Sequence, residues 1–199
     1  MEEGRWFDAE ILTATRDGLS IDSDSAKDWN DNKPTEATTD QAVSYRALII
    51  AGPSEKGQEL GAKVNAGEEL TWDDLNSAKW SVMSPSSPAG YIYPALWLQE
   101  NYGKGITDLA YAVPSDSYGS AMARLASGQV DVLVSYADVR RDYADQWQSE
   151  YGRTASIWDE TNVIGVTPAI YNDTVSVSKT SEIMTDEFIA ALQNAFINI

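Results

Sequence analysis

The chain has 199 residues, with 14 Lys or Arg against 31 Asp or Glu and no His, a formal charge of −17. Clustered basic side chains are what draw proteins to phosphate backbones and acidic membrane surfaces, so this balance argues against nucleic acid or anionic lipid as a partner. Without His or Cys there is no His-based triad, thiol nucleophile, Cys/His zinc site or disulfide, so no catalytic residue, metal or cofactor is expected.

In chain order, residues 1–10 lack the basic-then-apolar layout of a signal peptide, and the apolar patch from Ala9 to Ala14 predicts a short strand. From Asp22 to Gln41 only Ala26, Trp29 and Ala37 are apolar, which predicts an acidic surface loop. Its Asp22, Asp24, Asp28, Asn30 spacing is faintly that of an EF-hand. Lys27 and Lys33 stand where the turn glycine and the bidentate glutamate belong, so a plain solvated loop is the better reading. Tyr45 to Ala51 reads as a buried strand ended by Gly52-Pro53, and Ser54 to Val64 as a helix. Thr71 and Asp74 have the spacing of a capping box on a short helical turn, and Lys79 to Met83 is the next strand. Pro88 to Tyr102 is a helix with Ser87 as its cap and Gly103 as its stop; its apolar stretch is far short of the roughly 18 residues of a membrane span.

Beyond it the pattern predicts a strand at 108–113, a helix at 117–127, a strand at 130–136 and an amphipathic helix at 137–151. An extended segment follows at 156–165, and a final helix at 185–197 puts Phe188, Ala191, Leu192 and Phe196 on one face. Strands alternating with helices predict an α/β fold with a largely parallel sheet and helices on both faces.

Trp80 to Tyr102 carries the chemistry. A strand ends at Met83, a turn with Ser84, Ser86 and Ser87 follows, and a helix starts at Pro88. A helix N-terminus offers unpaired N–H groups and the positive end of the dipole, and serine hydroxyls add uncharged donors, which together suit an anion. The same serines also serve a plain cap. Pro94 inside the helix removes one backbone hydrogen bond.

Ser87-Pro88-Ala89-Gly90-Tyr91-Ile92-Tyr93-Pro94 resembles the S-T-S-G-Y-x-x-P signature of periplasmic phosphate/phosphite/phosphonate-binding proteins, the ligand-catching subunits of ABC importers. Gly128-Gln129-Val130-Asp131-Val132 is similar to that family's G-x-V-D-V strand entry, Tyr136-Ala137-Asp138-Val139 to the acidic position after it, and Ile170-Tyr171-Asn172-Asp173-Thr174-Val175 to its I-P-N-D-x-V crossover. The resemblance implies a two-lobe fold of the type II periplasmic-binding-protein kind that closes on its ligand. Residues 1–83 with 174–199 would form one lobe, lacking its N-terminal part, and residues 84–173 the other. Exposed sheet edges in the incomplete lobe would favour a homodimer.

The resemblance further implies a small anionic ligand, ABC permease subunits as partners and an extracytoplasmic location. Ser84, Ser86, Ser87 and the helix start at Ala89 and Gly90 would bind the oxyanion, Tyr118 would add a contact, and Asp138 and Asp173 would meet an amine or acidic proton of the ligand. Without the resemblance, Asp138 reads as a helix cap, Asn172-Asp173 as a turn pair and Tyr118 as a helix-start aromatic. Two positions depart from the signature. Pro88 has no N–H and Ala89 no hydroxyl, so at least two donors are missing. The competing readings are a sensor or scaffold that kept the fold and lost the ligand, and an enzyme using paired Asp residues as acid and base.

Overall fold

The computed structural model describes residues 9–13, 16–178 and 180–197. The chain divides by contact into a smaller unit, residues 1–18, 39–44 and 171–199, and a larger one, residues 19–38 and 45–170.

The first elements are strands β1 (Ala9–Thr13) and β2 (Arg16–Leu19), helix α1 (Ala26–Asp31), and strands β3 (Ala37–Ala42), β4 (Ser44–Tyr45) and β5 (Ala47–Ala51). Helices α2 (Glu55–Asn65) and α3 (Trp72–Asn76) lead to β6 (Trp80–Val82). A π-helical turn (Pro88–Ile92) runs into α4 (Tyr93–Tyr102), and a 3-10 turn (Ile106–Asp108) precedes β7 (Ala112–Pro114). Then come α5 (Tyr118–Ala126), β8 (Val132–Tyr136), α6 (Val139–Asp142), α7 (Ala144–Ser149) and α8 (Ile157–Glu160). The chain continues through β9 (Asn162–Val166), β10 (Ile170–Tyr171), β11 (Val175–Ser178) and α9 (Asp186–Ile197).

The larger unit is built on a five-stranded sheet in the order β7-β6-β8-β5-β9. Strand β6 runs parallel to β7 and β8, while β5 runs antiparallel to β8 and β9, so four strands share one direction, as the alternation predicts. Strands β5, β8 and β9 are near-continuous apolar runs because helices cover both faces. Successive side chains alternate between those faces. Leu48, Ile50, Leu133 and Val163 join a core with Trp29, Met122, Leu125 and Trp147, and Ile49, Val132, Val134 and Ile164 join a second core with Leu60, Leu75 and Leu98.

Three expectations need correction. The stretch 22–41 is more than a loop: it holds α1 and β3, and Trp29, 1% exposed, sits in the first core. One tryptophan supplies the burial that an averaged composition hides. Beside it, the Asn30 amide accepts from the Val163 N–H (2.7 Å) and donates to the Val163 carbonyl (2.9 Å), bonding the outer edge of β9 as a further strand would. Second, the strand expected at 108–113 is β7 at 112–114, after a 3-10 turn in which the Asp108 carboxylate accepts the Gly105 N–H. Third, the helix expected at 137–151 breaks at Tyr143 into α6 and α7, and the extended segment at 156–165 begins with the helical turn α8, whose cap Ser156 accepts the Asp159 N–H. The lobe boundary read at 83/84 falls between strands of this sheet. Strands β5 and β6, before it, hydrogen-bond directly to β8, after it.

Within the smaller unit, β1 and β11 form an antiparallel ribbon, and α9 follows. Ile183, Phe188 and Phe196 are exposed in it. Asn172 is anchored there by its N–H to the Val43 carbonyl (3.0 Å) and its side-chain amide to the Ala42 carbonyl (2.8 Å).

Candidate functional site

Strands β6, β7 and β8 run parallel, so their carboxyl ends lie on one edge of the sheet, and each is followed by a helix start. Ser87 caps the turn after β6, Ser117 caps α5 after β7, and Asp138 caps α6 after β8. Converging helix N-termini at the carboxyl edge of an open α/β sheet are where such folds take ligands.

The serine turn is well ordered by its own hydrogen bonds. The Ser84 carbonyl accepts the Ser87 N–H (2.8 Å), and the Ser87 Oγ accepts the Gly90 N–H (3.1 Å). The hydroxyls of Ser84 and Ser86 lie 3.0 Å apart on the exposed side. The Tyr91 and Ile92 N–H groups both turn inward to the Ser87 carbonyl. With Pro88 lacking a donor, the Ala89 N–H is the helix-start donor without an internal acceptor among the described residues.

Ala89 and Gly90, both expected at the site, contribute there only through the backbone. The Ala89 methyl is buried with Ala47 and Ile170. A Cβ on Gly90 would collide with the Met83 side chain, so only glycine lets the helix start approach the strand end this closely. Tyr91 and Tyr93 pack against different cores, as two positions two apart on a helix must.

The structure brings Tyr118 to Ser87 and adds a residue that sequence reasoning missed, Ser135 on β8. Burial pushes the Tyr118 phenol up, and the neighbouring hydroxyls of Ser87 and Ser135 pull it partly back. It is therefore a neutral donor at physiological pH. Its ring stands edge-on to Tyr136, with centroids 5.0 Å apart. Ser135 is fully buried, and its Oγ has no partner in hydrogen-bonding geometry, although Tyr118 is close. A buried hydroxyl left unpartnered costs about 1–3 kcal/mol, and the Tyr118 phenol is the polar group beside it. The available signal was a lone serine near the carboxyl end of the otherwise apolar run Val132-Leu133-Val134.

Asp138 is placed differently from the expectation. Its Oδ1 accepts from the Arg140 N–H (3.1 Å) and Nε (2.9 Å), and its Oδ2 from the Arg140 Nη2 (2.7 Å) and the Thr35 hydroxyl (3.0 Å). A carboxylate has about four acceptor positions, and all are filled. The side chains of Asp138 and Arg140 are both 0% exposed, and the guanidinium lies over Trp158, 4.8 Å from the ring centroid. Asp138 is thus a helix cap and a buried ion-pair partner. The pairing was not legible because residues two apart on a helix do not face each other; Asp138 reaches Arg140 because it stands outside the first turn as the cap. Asp173 is exposed and belongs to the smaller unit, not to the unit that carries the serine turn.

Asp131 of the Gly-x-Val-Asp segment is structural. It accepts the Ser54 hydroxyl (2.6 Å) and the Lys79 N–H (2.8 Å), tying the cap of α2 to the entry of β6. Among the described residues no group of His, Cys, Asp or Glu is arranged to hold a metal ion, and no helix is long and apolar enough to cross a membrane.

A mostly parallel sheet flanked by helices, with the helix starts gathered at one edge, is the lobe architecture of a type II periplasmic binding protein. Residues 26–199 match the family of periplasmic substrate-binding proteins of phosphonate ABC transporters, and the chain belongs to that family. Among solved structures it is similar to the binding-protein component of a Pseudomonas aeruginosa ABC phosphonate transporter, with 19% identity and a TM-score of 0.52 over 79% of this chain and 46% of that one. It is similar to PhnD1 of Prochlorococcus marinus in complex with methylphosphonate, with 14% identity and a TM-score of 0.58 over 96% and 58%. A Xanthomonas citri protein bound to ATP gives 12% and 0.54 over 96% and 57%. The chain spans about half the length of these neighbours.

Proposed function

We propose that this chain binds a small oxyanion of the phosphonate, phosphite or phosphate kind at the carboxyl edge of the larger unit's sheet, and that it does so as the extracytoplasmic component of an ABC importer, delivering the ligand to permease subunits. The observation that carries the reading is the grouping of Ser87, Tyr118 and the buried Ser135 beside the exposed hydroxyls of Ser84 and Ser86. These are neutral donors. An oxyanion needs such groups at contact distance, and the net charge of −17 is screened over about 8 Å at physiological ionic strength. Family membership supports the same reading.

The ligand is held without chemistry. An Asp-based acid/base pair needs a carboxylate with a free oxygen facing substrate, and Asp138 has none. Thermal unfolding with phosphate, phosphite, sulfate, methylphosphonate and aminoethylphosphonate tests the proposal. Binding to the folded state adds about 2.7 kcal/mol at a hundredfold excess over Kd, so one of these anions raises Tm by several degrees, and Ser87→Ala with Ser135→Ala removes the shift. Absence of any shift in the folded chain overturns the proposal and favours a sensor or scaffold, for which the missing donors at Pro88 and Ala89 are the motive.

A further inference from the structure

Where helices α2 and α4 of the larger unit end lies a cavity of about 320 Å³, within the ~300–1,000 Å³ usual for ligand pockets. Its rim begins as a helix stop. Gly67, at φ 78°, ends α2: its N–H bonds the Val64 carbonyl (3.0 Å), and the Glu68 N–H bonds the Lys63 carbonyl (2.9 Å), the paired bonds of a glycine-terminated helix. That turn delivers Glu68 and Glu69 to the cavity, and Leu70 with Val64 and Ile164 forms an apolar wall. From α4 come its last two residues, Asn101 and Tyr102, before the stop at Gly103. The Tyr102 ring has Trp72 and Trp97 as neighbours, at 6.2 and 5.6 Å between centroids. None of the residues assigned to the oxyanion lines this cavity; Ser87 and Tyr102 mark opposite ends of the π-turn and α4, and the helix dipole that favours an anion at the first favours a cation at the second.

We propose that this cavity binds a primary organic ammonium with a short apolar body, a ligand distinct from the oxyanion. No basic side chain lines it. Glu68 and Glu69 have no ion pair among the described residues, and Lys63 is taken by Asp74 (2.5 Å) and Glu59 (3.7 Å). The Asn101 amide donates to the Trp97 carbonyl (2.8 Å), and its Oδ1 is an acceptor. A primary ammonium brings three N–H donors to these oxygens, its alkyl chain meets Val64, Leu70 and Ile164, and the Tyr102 ring attracts the charge. Burial pushes the Tyr102 phenol up, and the charges of Asp74 and Glu69 push it the same way, which is the sign of field a cation needs. An anion would face two carboxylates. A divalent ion such as calcium takes about 6–8 oxygen ligands, and among the described residues no group of three or more acidic side chains is arranged to hold one.

NMR titration of the chain with butylammonium, n-butanol, tetramethylammonium and calcium, read at the indole N–H signals of Trp72 and Trp97, tests this. Butylammonium is expected to shift those two signals and to bind about tenfold or more tighter than n-butanol, which lacks the charge-assisted hydrogen bonds. Glu68→Gln with Glu69→Gln, both at exposed positions, is expected to weaken butylammonium about tenfold while thermal unfolding stays unchanged. Butanol binding as tightly as butylammonium, tetramethylammonium binding tighter, calcium displacing the amine at equal concentration, unchanged affinity in the double variant, or indole signals that do not move each overturns the proposal.

Discussion

The Met83 N–H donates to the Gly90 carbonyl at 3.0 Å, and that carbonyl is the one Pro94 leaves without its helical donor. In an α-helix the N–H of residue i bonds the carbonyl of residue i−4, so a proline four residues after Gly90 frees an acceptor that the strand end then takes. The π-helical turn at Pro88–Ile92, in which the Tyr93 N–H reaches the Pro88 carbonyl, spans the gap. Gly90 completes the arrangement by having no Cβ to strike Met83. The Gly-x-x-x-Pro spacing thus fastens the serine turn to β6.

Gly90→Ala is therefore expected to overpack this junction, costing about 1–3 kcal/mol and displacing Ser87. Urea denaturation and oxyanion titration of the same variant check the two effects; an alanine variant with unchanged stability would refute the close approach.

Asp138→Ala leaves Arg140 buried and unpaired, and the expected loss is about 3–5 kcal/mol. Replacing both partners by apolar residues, Asp138→Leu with Arg140→Met, is expected to recover most of it, since a buried pair and a well-packed apolar pair are often close in stability. Chemical denaturation of the two variants measures this. A loss of ligand binding in the single variant then reports unfolding rather than a lost contact.

Asn30→Ala removes both side-chain bonds to Val163, leaving the outer edge of β9 open at a buried position. The expected cost is about 1–3 kcal/mol, together with faster amide hydrogen exchange at Val163. Exchange rates in β9 matching those of the unaltered chain would contradict the edge-pairing role.

Acid stability follows from depressed carboxyls. The Lys63 hydrogen bond holds Asp74 down to about 2 from its usual 3.8, and Arg153 likewise lowers Glu160. A group whose folded pKa is lowered contributes stability that is present above its unfolded value and lost as pH falls through the folded one. The urea midpoint is thus expected to stay nearly level from pH 8 to about 5, where a chain without His has no ordinary side-chain titration. It then falls between about 4 and 2. Lys63→Met is expected to weaken that acid dependence.

Capture of an anion by a chain of charge −17 is expected to be slow at low salt and faster as the Debye length falls from about 30 Å at 0.01 M to about 8 Å at 0.15 M. Stopped-flow association rates show this directly, and a rate that falls with salt would require a local positive field at the site.

The positions with strictly local causes were legible in the sequence. The capping box of Thr71 and Asp74, the cap Ser87 and the stop at Gly103 appear as read, and the apolar strands read at 45–51 and 130–136 contain β5 at 47–51 and β8 at 132–136, because a hydroxyl caps the turn beside it and a buried strand must be apolar along its own length. The serine turn as an anion-suited helix start rests on the same neighbour-range physics. Tertiary structure alone decided that Trp29 belongs to the core, that β5 runs against its neighbours, that Asp138 is consumed by Arg140 and Thr35, and that Ser135 stands buried next to Tyr118. Those outcomes depend on residues as far apart as Thr35 and Asp138. A carboxylate or hydroxyl carries the same letter whether its lone pairs are filled by such a distant partner or left for a ligand; only packing settles which.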